Sequence, residues 1–110
     1  MTFRSFEEVV GASEGLAEEL RGLTPPLPLV PFADDLSRRV RESVAALQRM
    51  LPGRLRNRQT ILLGAIGPAL SALRECRNAG YSLPDDLAAL VAVAESAGML
   101  RDLSAPSAPR

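Results

Sequence analysis

The side chains of this chain that could act on a ligand are thirteen arginines, thirteen carboxylates and one thiol, Cys76; lysine and histidine are both absent. General acid–base work near neutral pH usually recruits histidine, and that route is closed. A cysteine nucleophile needs a neighbouring base in an accessible, electropositive site. Cys76 instead continues the helical register of Ile66, Leu70 and Leu73, which makes it a core thiol. One cysteine without histidine cannot build a Cys/His metal site. The acids come largely as neighbours, Glu7/Glu8, Glu18/Glu19, Asp34/Asp35 and Asp85/Asp86, and adjacent residues on a helix do not face each other. Helix capping or solvation is the expected use of these pairs. The glycines form no phosphate cradle, and a phosphate-loop lysine cannot exist here. The expectation is no enzyme, no cofactor and no metal.

Arginine remains as the candidate functional group. The formal net charge is zero, but residues 1–37 carry two arginines and seven acids, residues 38–58 seven arginines and one acid, and residues 59–110 four arginines and five acids. Blocks of opposite sign create a local field even when the total vanishes. Arg38, Arg39, Arg41, Arg49, Arg54, Arg56 and Arg58 are therefore the candidate partner-binding residues. Three uses are open to them. They could hold nucleic-acid phosphate, dock an acidic surface of a protein partner, or pair internally with an acidic first helix bearing Glu7, Glu14 and Glu18. Against nucleic acid stand the neutral total charge, the lack of an aromatic residue to stack a base in the block, and the absence of a groove-reading motif. Reversing Arg54, Arg56 and Arg58 to Glu is expected to spare the fold and remove partner binding.

The elements that must position these groups all read as helices. Phe6, Val9, Val10, Leu16, Ala17 and Leu20 share a face of a first helix over about Phe6–Arg21, with Ser5 and Glu8 at capping-box spacing and Gly22 at its end. Residues 24–32 hold four prolines in seven positions and predict an extended, apolar strap. A second helix is expected from Asp34 or Asp35 to Leu51, its stripe carried by Leu36, Val40, Val44, Leu47 and Leu51, with an Arg38–Glu42 pair on its outer side. The segment from Arg54 to Ala79 is nearly all apolar between Ile61 and Leu73 and predicts a central helix, either kinked or split at Gly64–Pro68. Gly80 closes it, with Tyr81 folding back toward Cys76. A fourth helix starts at Ser82 or Leu83, buries Leu83, Leu87, Leu90, Val91 and Ala94, and ends at Gly98. Its Ala88, Ala89, Ala92 and Val93 form either a dimer face or a further buried side. Residues 99–103 could add a turn, and residues 104–110 read as a disordered tail.

The fold expected is an all-α compact bundle of four helices, five if Pro68 breaks the third, in one domain over residues 1–103. The run Gly80-Tyr81-Ser82-Leu83-Pro84-Asp85-Asp86-Leu87 resembles a helix–turn–helix joint of MerR-type regulators over about eight residues. A C-cap glycine followed by an N-cap serine accounts for that run, and it assigns no family. Where a signal peptide would be apolar the chain turns acidic, and its longest nearly apolar stretch is 13 residues, short of the ~18 a membrane span needs. A cytoplasmic protein without membrane attachment is expected. Eighteen leucines and sixteen alanines are generous for one small core, which points to partnership. The expected function is a non-catalytic protein–protein interaction module (adaptor, inhibitor or small assembly subunit), with a protein partner and a homo-oligomer both open. Small helical proteins of phages and mobile elements share this size and plainness, by analogy only. The alternative is a small nucleic-acid-contacting subunit using Arg38–Arg58.

Overall fold

The computed structural model describes residues 5–22 and 29–100, with side chains over 5–19 and 31–100. Its described residues form helices and turns: α1 (Phe6–Gly22), α2 (Leu29–Met50), α3 (Arg58–Ala65), α4 (Gly67–Asn78) and α5 (Asp85–Ser96). The all-α fold is as expected, with five helices. At the start of α1, Ser5 Oγ accepts the Glu8 N–H at 3.2 Å, the forward half of the capping box.

Three boundaries differ from the sequence expectation, one of them being that residues 54–57, expected to open the third helix, form a turn before α3 begins at Arg58. Helix α2 begins at Leu29, so Pro31 and Phe32 belong to its first turn instead of a strap. A proline is tolerated there because the first N–H groups of a helix have no internal acceptor. The rest of the predicted strap, residues 24–28, lies outside the described residues, as do the extra turn at 101–103 and the tail at 104–110. Asp34 and Asp35 consequently lie inside α2 and do not cap it. Pro84 is the residue preceding α5, which starts at Asp85 instead of Ser82 or Leu83.

The third predicted helix is two helices meeting at Ile66. Pro68 takes the second position of α4, where its missing N–H costs nothing. The break leaves the buried Ala69 N–H in need of an acceptor, and Ser13 Oγ of α1 provides it at 3.0 Å. Ser13 is 1% exposed and Ala69 2%. A serine on a neighbouring helix thus does the work of a cap for α4. Gly80 (φ 110°) and Gly98 (φ 69°) turn the chain at the ends of α4 and α5 in conformations that other residues rarely adopt. Tyr81 does fold back: its N–H donates to the Cys76 carbonyl at 3.0 Å, and its hydroxyl donates to Asp34 Oδ1 at 2.6 Å.

Three tie points fix the helix directions. Glu19 near the end of α1 meets Arg39 in α2, Ser13 meets Ala69, and Tyr81 meets Asp34. From the Glu19–Arg39 contact, the groove between the two helices is lined back along α1 to Ala12 and forward along α2 to Ser43, so α1 and α2 run antiparallel. Helix α4 then runs alongside α1, and the α2–α3 turn lies at the end where α1 begins. The core draws on every helix, with Val9, Leu36, Val40, Leu47, Ile66, Leu70, Leu73, Leu87 and Val91 at 0–1% exposure and Leu62 and Leu63 of α3 at 3% and 2%. Phe6, expected on the buried face of α1, is 37% exposed.

Candidate interaction site in the arginine block

The seven arginines of residues 38–58 do not form one surface. Arg38 lies between Asp35 and Glu42 on its own helix, with Glu42 at 3.0 Å. Arg39 reaches Glu19 of α1 at 3.1 Å and Asp35 at 3.0 Å. Arg41 forms a two-pronged pair with Asp86 in the first turn of α5, both bonds at 2.9 Å. These pairs are exposed, and single exposed pairs contribute little. Their geometry is still specific, since a guanidinium fork matches a carboxylate in only a few orientations. The first three arginines are thus engaged within the chain, but only Arg39 pairs with α1, since Arg38 stays on its own helix and Arg41 reaches α5. The α1 acid paired with Arg39 is Glu19, which the sequence reading did not single out.

Helix α5 is held from both ends in this way. Arg41 of α2 takes Asp86, and Arg77 of α4 takes Glu95 through bonds of 3.2 and 3.1 Å. The hydrogen bond from Arg41 is the main cause that holds the Asp86 carboxyl below the usual carboxylate range, and that from Arg77 does the same for Glu95. Leu87, Val91 and Ala94 face inward, as expected, with Leu83 and Leu90 partly buried. Ala89, Ala92 and Val93 face outward, Val93 at 45% exposure, so the idea that α5 is buried on most sides does not hold.

The remaining four arginines gather where α2 ends and α3 begins. Arg58 is half-buried and donates to the Gln48 carbonyl at 3.0 Å, one of the last carbonyls of α2, while its Nε is buried without a partner. It serves as a C-terminal cap, a structural role that the sequence alone did not separate from its neighbours. Arg49, Arg54 and Arg56 are exposed and have no acid partner among the described residues. The turn carrying two of them is held in place: Leu55 N–H donates to the Pro52 carbonyl at 3.2 Å and Arg58 N–H to the Leu55 carbonyl at 3.3 Å. Leu55, between them, is 36% exposed.

Elsewhere the chemistry is sparse. Cys76 is 1% exposed, and burial pushes its thiol up to about 11, so it stays protonated and inert near neutral pH. Among the described residues no group of three acids or thiols converges as metal ligands would. A groove between α1 and α2, floored by Ala12, Gly15 and Leu16, is rimmed by Glu19, Arg38, Arg39 and Glu42. Those rim charges already satisfy one another. No described helix is long and apolar enough to cross a membrane. No family model, no curated protein and no solved structure matches this chain.

Proposed function

We propose that this protein is a non-catalytic docking module that binds an acidic surface of a protein partner through Arg49, Arg54 and Arg56. The observation that carries this reading is the division of labour within the basic block. Arg38, Arg39 and Arg41 are engaged by acids of the same chain, whereas Arg49, Arg54 and Arg56 project from a fixed corner without one among the described residues. An arginine whose backbone is already fixed loses less entropy on meeting a carboxylate than one on a mobile tail. The absence of histidine and the raised, buried thiol support a role without turnover.

The test is capture by the tagged full chain from lysate of its source cells, compared with Arg49→Glu/Arg54→Glu/Arg56→Glu. Arg58 is left in place because it caps α2. The reading expects an acidic protein that is captured by the parent, lost with the triple reversal and lost as salt is raised. Equal capture by both forms contradicts it. Capture that disappears on nuclease treatment would replace it with the nucleic-acid reading, in which affinity falls linearly with salt on logarithmic axes.

A further inference from the structure

Two exposed apolar side chains lie at the same end of the bundle as Arg49, Arg54 and Arg56. Phe6 and Leu55 are two of the three exposed large hydrophobic residues among those described. The Glu19–Arg39 contact sets their level. Phe6 lies 13 residues before Glu19 and Met50 11 residues after Arg39, which is about 20 Å and about 17 Å along antiparallel helices. The start of α1, the end of α2 and the turn bearing Leu55 thus share one end. A lone exposed apolar residue needs no explanation. An exposed aromatic at the same end as arginines that have no acid partner among the described residues matches the aromatic and arginine enrichment of interface centres.

We propose that this end of the bundle takes an acidic segment of a protein partner that also carries an apolar side chain. The segment's carboxylates meet Arg49, Arg54 and Arg56, and its apolar group is covered against Phe6 and Leu55. The inference rests on the docking reading above and adds the apolar half of the site. Exposed ion pairs contribute little by themselves, whereas burying an apolar anchor among them both adds affinity and dries the pairs. Charge selects the occupant. The arginines at this end outnumber the acids Glu7 and Glu8, so a second copy would set a positive excess against itself. A duplex phosphate backbone, uniformly negative, would meet those same acids and leave Phe6 and Leu55 unused, whereas a single strand can stack a base on Phe6 and is therefore one arm of the test.

The experiment is selection from a display library of random peptides about 12 residues long, followed by fluorescence anisotropy with the best labelled peptide. Selected sequences are expected to combine Asp or Glu with Leu, Ile or Phe. Binding is expected to weaken about tenfold or more both in Arg54→Glu/Arg56→Glu and in Phe6→Ser/Leu55→Ser. Melting curves check that the variants fold, and Leu55→Ser alone keeps the test standing should loss of Phe6 disturb α1. Binding lost with the arginine pair but untouched by the apolar substitutions overturns the inference and leaves the docking reading. Binding untouched by either overturns both, and so does a selection without acidic peptides. A labelled single-stranded oligonucleotide of about 20 nucleotides that binds as tightly as the peptide overturns it in favour of nucleic acid. A dimer in sedimentation that Leu55→Ser dissociates overturns it in favour of a second copy.

Discussion

Replacing Ser13 by alanine isolates one hydrogen bond on which the α3–α4 break depends. Ser13 Oγ is the acceptor for Ala69 N–H, and both residues are almost fully buried. The substitution removes one oxygen, leaves a void too small for a water molecule, and strands a backbone donor. A buried donor without a partner costs about 1–3 kcal/mol, so Ser13→Ala is expected to lose about 2 kcal/mol. With a urea slope of roughly 2 kcal/mol/M for a chain of this size, the unfolding midpoint should fall by about 1 M. Ser43 is the control. It is also buried, at 3% exposure, but its hydroxyl donates to the Arg39 carbonyl within its own helix at 3.1 Å. Removing that hydroxyl strands nothing, because the carbonyl can keep its helical bond, and Ser43→Ala should cost less than about 0.5 kcal/mol. Midpoints for the two variants within about 0.2 M of each other would refute the assignment of Ser13 as the cap of α4.

Three further outcomes follow from packing and charge. Leu73→Ala should cost about 2–5 kcal/mol in urea unfolding, since Leu73 is 0% exposed at the centre of the core; a loss well under 1 kcal/mol would mean that the cavity collapses or the core lies elsewhere. Gly11→Ala and Gly15→Ala should each stabilise the chain by roughly 0.5–1 kcal/mol, because a methyl group at either position meets nothing within 4 Å and alanine is the better helix former; a fall in melting temperature would contradict it. The third is an acid shoulder. Asp86 and Glu95 are held below their ordinary range, so their contribution is present above that range and is lost as pH falls through their lowered folded values. Urea midpoints should drop below about pH 4, and Asp86→Asn with Glu95→Gln should flatten that drop; an unchanged profile would sink the clamp on α5.

The legible part of the fold was what local periodicity encodes. The stripe Leu36–Val40–Leu47, the register Ile66–Leu70–Leu73–Cys76 and the turn glycines Gly80 and Gly98 are placed as the residue spacing predicts. The start of α2 was misread because Pro31 counts as a breaker everywhere except in a first turn, and nothing local says where a first turn falls. Phe6 was misplaced because a single helical period cannot show where the neighbouring helices end. The arginines were identified as a group but not sorted. Arg38–Glu42, Arg38–Asp35 and Arg39–Asp35 lie at spacings readable along one helix, the last two only once Asp35 is placed inside α2. Arg39 and Arg41 find partners 20 and 45 residues away, and Ser13 finds its donor 56 residues away. Such contacts exist only once tertiary packing has set them.

Three arginines of the basic block are engaged by acids of the same chain, and three more are left over for a partner. Two charge-matched variants of the full chain test this division without knowing the partner: Arg38→Glu/Arg39→Glu/Arg41→Glu and Arg49→Glu/Arg54→Glu/Arg56→Glu. Urea unfolding at low salt should show a clearly lowered midpoint for the first, whose reversals face Asp35, Glu19 and Asp86. The second should unfold with the parent chain. A first variant as stable as the parent, or a second that loses as much as the first, would contradict the account.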